Sequence, residues 1–382
     1  MKRVATSGRT IDGSRITFLR ELNGMTLKDI AGYLNVTSSY VSQMEHNKRN
    51  IDFTTVLKLS DLFKIPHEFI LNNDELPHAS KTRFFRKKSI VTKKKQIQAV
   101  QKTRIFSYFE ETVSSDLRLR YFVLPKYANS ESEFRLLPYN YIDRIVDSIR
   151  NSFNFGNGPI SNMTLLVEKM GIRVSFVNLE DESIDAITIK NDGQFYMLIN
   201  SRISSSVRIR FNIAHELGHI FLHFNYLESN INNTSNYKRI EAEANHFAGA
   251  LLMPEDGLAT DMYLTNMEHL MLLKKHWLVS IQSLIYRGNE IGLITDQQAL
   301  FLRQTISRNH WRYNEPYDNE IPIEKPTFLS SALKFSGIDE KEYIQYLSAS
   351  KNFYSEQICY YLNLDAKDDS QIIKKYHGPH LV

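Results

Sequence analysis

The sequence predicts an α+β chain, mostly helical, in three parts. These are a five-helix N-terminal domain, a mixed domain with a small β-sheet, and a helical C-terminal region. Three observations carry this expectation. Apolar residues recur at helical spacing between capping and turn residues through the first part of the chain. From Tyr139 onward two helical stretches precede strand-like runs and a tight turn, and further apolar helices follow. The last stretch, from Pro326 onward, is helical in pattern and rich in Tyr. The predicted boundaries are 10–74 for the first domain, 75–138 for a connector, 139–316 for the mixed domain and 317–382 for the C-terminal region. With 382 residues, 42% of them hydrophobic and 24% charged, the chain is long enough for several buried cores. No apolar run approaches the length that spans a bilayer. The start, MKRVATSGRTIDGS, lacks an apolar leader core, so a cytoplasmic location is expected. Cys359 is the single cysteine, which excludes an intramolecular disulfide and argues against a Cys-based metal site.

In the first domain, Ile16, Leu19 and Leu22 mark a helix that stops at Asn23-Gly24. Thr26 is placed to cap a second helix with Leu27, Ile30, Ala31 and Leu34 on one face. Asn35 stands at a sharp turn, where its tolerance of the left-handed conformation is useful. A third helix starts at Thr37 or Ser38, with Val41 and Met44 inward and Ser39, Tyr40 and Gln43 outward. "TTVLKLSDLFKIPHEFIL" closes the bundle. Two short helices joined by a tight turn, the second with a polar outer face, describe a helix-turn-helix. Ser38, Ser39, Tyr40 and Gln43 are expected to meet base edges of a double-stranded operator, and Lys28 and Lys48 its phosphates.

Charge is uneven along the chain. The segment from Lys81 to Arg104 holds ten Lys/Arg and no Asp/Glu, whereas residues 105–382 carry a net −7. Next to a helix-turn-helix, this run suggests salt-dependent phosphate contact. From Lys93 it is expected to turn helical, with Ile97, Val100 and Ile105 on one stripe.

The mixed domain carries the chemistry. "IRVSFVNL", "IDAITIK" and "QFYMLIN" read as strands, with a hairpin turn at Asn191–Gly193. The strand from Gln194 to Ile199 is expected at a sheet edge, where a substrate peptide would add as a further strand. Within "FNIAHELGHIFLH", His215 and His219 lie one helical turn apart on one face, able to fill two corners of a zinc tetrahedron. Glu216 is expected to point past the metal toward solvent, suited to act as general base on water. The helix is apolar nearly all round, so buried histidines there need partners. Leu222 and Asn225 stand where a metzincin needs Gly and His. His223 lies a turn too far along to join both other histidines and is read as supporting. For a third ligand, "EAEAN" offers Glu241 with Asn245 one turn on, the Asn orienting a ligand histidine. Glu243 is the alternative. Tyr196, Arg210 and His246 are candidate oxyanion partners.

Two resemblances sharpen this reading. Thr26–Ala31, Val36, Val41–Glu45 and Asn47–Arg49 resemble the Cro/repressor-like (XRE) helix-turn-helix family, except that Leu27 replaces a frequent Gln. That departure shifts phosphate clamping toward backbone amides, Lys28 and Lys48. Residues from about 140 to 316 resemble the ImmA/IrrE zinc metallopeptidases. The resemblance is carried by "GPI", "LLVEKMGIRV", "DAITI", "RIRFNIAHELGHIFLH", "EAEANHFAGALLMP" and "WRYNEP". It implies a gluzincin-like Zn2+ site with His215, His219 and Glu241 as ligands and Glu216 as base. It also implies endoproteolysis of a repressor-type transcription factor in a bacterial or mobile-element switch. A homodimer is expected because helix-turn-helix proteins usually read paired half-sites. The competing expectation is a regulator whose metallopeptidase-like domain only senses a metal, peptide or metabolite.

Overall fold

A computed structural model describes residues 11–72, 76, 92–191, 193–227 and 234–364. Five helices open it: α1 (Gly13–Leu22), α2 (Leu27–Leu34), α3 (Ser38–Glu45), α4 (Phe53–Phe63) and α5 (His67–Leu71). Thr26 caps α2 in a capping box with Asp29, and Asn35 ends it at φ 57°, in the left-handed region. Thr37 caps α3. The start of α1 lies so close to the end of α3 that a Cβ on Gly13 would sit 2.0 Å from the Met44 carbonyl oxygen, so only glycine fits. Arg20 of α1 pairs with Glu45 of α3 at 2.6 Å, fixing the bundle from its other end.

The second half of the expected connector is a 24-residue helix, α6 (Lys93–Asp116). Its buried apolar side is Ala99, Ile105, Phe106, Phe109 and Val113, while Ile97 and Val100 are only half-buried. It packs against α1 and against one face of the sheet, and thus acts as a spine rather than a solvated linker. The basic run follows this geometry. Lys81 to Lys88 lie outside the described residues, but Lys95 pairs with Asp181 at 3.0 Å and Lys102 with Glu180 at 3.2 Å. Arg104 lies over the Phe18 ring. Of the described members, Lys93 and Lys94 remain exposed.

The mixed part begins with α7 (Tyr139–Ser152) and α8 (Met163–Met170), which Gly171 ends at φ 96°. Strands β1 (Arg173–Val177), β2 (Ala186–Asn191) and β3 (Gln194–Asn200) follow. Their order is β1-β3-β2, with β3 parallel to β1 and antiparallel to β2. The expected edge strand, Gln194–Ile199, is therefore central. A hairpin makes β2 and β3 neighbours, but the pairing of β1 along β3's other side depends on contacts distant in sequence. The Asn191–Gly193 turn is present as expected, with Asp192 outside the described residues.

Two long helices, α9 (Ser206–Leu222) and α10 (Thr234–Leu252), pack extensively on each other beside the sheet. The shell continues with α11 (Glu255–Asp261), α12 (Met267–Trp277), α13 (Ile281–Glu290) and α14 (Asp296–Arg308). The C-terminal region forms α15 (Phe328–Phe335), α16 (Glu340–Lys351) and α17 (Ser355–Leu362).

The sheet is a wall between two cores. Ala186, Phe195, Met197 and Ile199 join the core around α7–α10. Ile187, Ile189, Tyr196 and Leu198 join a second core built from the first five helices, α6 and the C-terminal helices. This is the period-two alternation of strand side chains, with both faces buried. Asn363 seals the edge of β1: its Oδ1 accepts from the Phe176 amide at 2.6 Å and its Nδ2 donates to the Phe176 carbonyl at 3.0 Å. Among the described residues no segment pairs with the outer edge of β2.

Candidate metal centre

Helix α9 brings His215 and His219 onto one face, and α10 lays Glu241 opposite them. The two helices approach closely because Gly218 faces Phe247; a Cβ there would lie 3.1 Å from that ring. Ala244 and Ala248 are also fully buried between them, whereas Gly249 faces Arg287 of α13. The result is three ligand atoms, one each from His215, His219 and Glu241, all within 4.8 Å of one another. The two Nε2 atoms are 3.0 Å apart, and the Glu241 carboxylate lies 3.6 Å from one and 3.3 Å from the other.

The partners of these groups decide what they can bind. Asn245 Oδ1 lies 2.9 Å from His215 Nδ1; a carbonyl oxygen only accepts, so Nδ1 carries the proton and Nε2 keeps its lone pair. His219 Nδ1 meets His223 Nδ1 at 3.0 Å, and His223 Nε2 meets Glu243 Oε2 at 3.1 Å. Glu243 accepts from His223 Nε2–H, His223 Nδ1 accepts from His219 Nδ1–H, and the Nε2 lone pair of His219 faces His215 and Glu241. Burial holds the pKa of His223 below its ordinary value against the pull of Glu243, in keeping with a neutral ring. Two lone pairs and a carboxylate thus converge, and Glu241 Oε1 is buried with no hydrogen-bond partner among the described residues. Such a cluster repels itself unless a cation stands between its members. Two imidazoles and one carboxylate are a donor set that zinc accepts while keeping a fourth position open.

Glu243 is placed differently from Glu241. It is fully buried and accepts from His223, from Arg239 Nε at 2.9 Å and from the Leu137 amide at 3.0 Å. Those bonds occupy both its oxygens on the far side of His223. Glu216 departs from its expected exposure: it is 3% exposed, and its Oε2 accepts from Thr188 Oγ1 of β2 at 2.8 Å. Thr188 lies in "DAITI", 28 positions before Glu216, but its contact with Glu216 is seen only in the fold. The Arg239–Glu243 pair, in contrast, has a legible four-residue helical spacing.

The three oxyanion candidates are engaged elsewhere. Tyr196 lies on the far face of the sheet, its ring edge-on to Phe106. Arg210 is fully buried, pairing with Glu324 and donating to the carbonyls of Ile160 and Leu278. His246 stacks on Tyr139 and is held by Asp143 at 2.8 Å and Glu290 at 2.9 Å.

On the N-terminal bundle, Lys28, Ser39, Gln43 and Lys48 are exposed, and Ser38 and Tyr40 are half-buried. Arg49 lies over the Tyr40 ring at 3.9 Å, steadying that face of α3.

Comparison with known proteins separates the same two parts. Residues 16–70 match the helix-turn-helix family profile, and residues 167–289 match that of the IrrE N-terminal-like domain, a peptidase family. The curated HTH-type transcriptional regulator ImmR of Bacillus subtilis is 32% identical over 75 residues, in the helix-turn-helix region. That match spans 20% of this chain and 59% of the length of ImmR.

Proposed function

We propose, for a chain that joins a helix-turn-helix domain to an IrrE N-terminal-like domain, a DNA-binding transcription regulator that is also a zinc metalloendopeptidase. Its substrate on this reading is a repressor-type protein. The observation that carries the reading is the convergence of the His215 and His219 lone pairs on the orphaned Glu241 carboxylate. The division near residues 74, 138 and 316 belongs to the same proposal.

Zinc held by these three residues would supply Lewis-acid chemistry, polarising a scissile carbonyl and acidifying water. Asn245 orients His215, and the His223–Glu243–Arg239 chain orients His219. Glu216 takes a proton from the attacking water and returns it to the departing amine. Thr188 donates to Glu216 Oε2 and so orients its carboxylate for that exchange. The outer edge of β2, which carries Thr188, replaces β3 as the place where an extended substrate adds as a strand.

On the DNA side, Ser38, Ser39, Tyr40 and Gln43 read bases while Lys28 and Lys48 hold phosphates. Operator binding as a homodimer and a cytoplasmic location complete the proposal. Among the described residues no helix is long and apolar enough to cross a membrane.

The test is cleavage. Zinc-loaded wild-type and Glu216→Gln proteins are incubated with helix-turn-helix repressors, and fragments are read by mass spectrometry. The wild type is expected to cut one of them at a defined bond, and the variant about 10²-fold or more slowly. Equal cleavage by both proteins rejects Glu216 as the base. Zinc binding with no cleavage of any repressor favours the sensor.

A further inference from the structure

We propose that the cavity where the helix-turn-helix domain, α6 and the C-terminal helices meet, with the Gln98 carboxamide on its wall, binds a small uncharged planar molecule. That molecule carries a carboxamide or an equivalent donor–acceptor edge, as an aromatic amide or a nucleobase does. The proposal does not depend on the metal centre or on proteolysis.

The cavity has a volume of about 230 Å³, room for a one- or two-ring molecule. Leu22 and Phe63 line it from the N-terminal bundle, Gln98 and Lys102 from α6, and Phe353 and Tyr360 from the C-terminal region. Gln98 is only 9% exposed, yet its carboxamide has no hydrogen-bond partner among the described residues. Its carboxamide lies close against Gly24, where an added Cβ would stand 2.7 Å from its Oε1. A carboxamide on the cavity wall with no protein partner offers both a donor and an acceptor to a ligand presenting the complementary pair.

Charge and shape narrow the ligand class. The Lys102 ammonium donates to the Asn178 carbonyl at 2.5 Å and pairs with Glu180 at 3.2 Å. The wall is therefore locally neutral, and a charged ligand would enter without a counter-ion. Aromatic rings on two of the three sides favour a flat body.

Occupancy clamps the DNA-binding domain to the rest of the chain. The N-terminal bundle already docks there through Gln357 Nε2 to the Lys64 carbonyl at 3.0 Å and through Phe69 against Phe353 at 4.9 Å. A molecule touching all three parts binds only when they are together, so it shifts that docking equilibrium.

The full chain is titrated calorimetrically with benzamide, nicotinamide and adenine, with benzoate as the charged counterpart of benzamide. At least one neutral probe is expected to bind with unit stoichiometry. Benzoate should bind tenfold or more weakly than benzamide. Gln98→Leu and Gln98→Glu should each weaken the bound probe roughly tenfold, with near-UV circular dichroism confirming that the variants fold. Hydrogen exchange should slow together in residues 19–24 and 353–361. The proposal is overturned if no neutral probe binds at millimolar concentration, if a folded Gln98 variant binds as the wild type does, or if protection falls elsewhere.

Discussion

At the residue scale the proposed centre rests on two glutamates two positions apart in opposite surroundings. Glu241 is poised with an unmet oxygen, while Glu243 is saturated by His223, Arg239 and the Leu137 amide. Glu241→Gln is therefore expected to abolish tight zinc binding. Glu243→Gln should weaken it roughly 10–100-fold by releasing His223 and so His219. Competition with a chromophoric chelator separates the two, and the reverse ranking would exchange their assignments. The sequence offers Glu241 with Asn245 one helical turn on, and the structure places Asn245 Oδ1 2.9 Å from His215 Nδ1. The buried setting of Glu216 was not legible. The H-E-x-x-H spacing says which helix face a residue occupies but not which strand lies across from it, and here that strand brings Thr188.

At the element scale, helices announced themselves better than strand order did. Thr26, Asn35 and Thr37 act locally, so their capping and turn roles could be read directly. The position of β3 depends on β1, 17 or more residues away in the chain, and local pattern cannot report it. Helix α10 also carries a titratable brace, His246, set between Asp143 of α7 and Glu290 of α13. Burial lowers its pKa, but hydrogen bonds to Asp143 and Glu290 and their charges outweigh this and raise it above 6.5. Arg287 beside Glu290, and Arg239 over the Tyr139 ring, are the nearby cations. Because the folded value is the higher one, the stabilisation is full below the unfolded pKa and is lost as pH rises through the folded pKa. His246→Gln should thus lower the melting temperature more at pH 6 than at pH 9. An equal loss at both pH values would show that the brace acts through packing alone. On α3, Gln43→Ala is expected to relax base preference at one operator position, and on α2 Lys28→Ala to weaken all sequences alike and reduce the salt dependence. Binding measured at several salt concentrations tells the two effects apart.

At the scale of the whole molecule, the basic run dominated the pattern of residues 75–138 and hid the spine inside it. Lys/Arg density suggests solvent, yet Lys95 and Lys102 pair with acidic residues of the 180–181 loop, and Phe106 and Phe109 are fully buried. Through α6 and the shared sheet, the N-terminal bundle and α9 lie on opposite sides of one wall. Phe353 of the C-terminal region joins the N-terminal bundle to α6 by packing on Phe69 and Phe109. Phe353→Ala should cost about 3–5 kcal/mol at that junction. In calorimetry it should split off an early transition for the N-terminal bundle, and a single unsplit transition would argue against this junction. The account as a whole turns on whether the three converging side chains hold zinc. The most direct measurement is metal content by mass spectrometry with titration calorimetry, on wild type, Glu216→Gln, His215→Ala and Glu241→Gln. The prediction is one zinc per chain in the first two and none held tightly in the last two. Wild-type protein that binds no zinc, or Glu241→Gln protein that binds it as tightly as wild type, would contradict it.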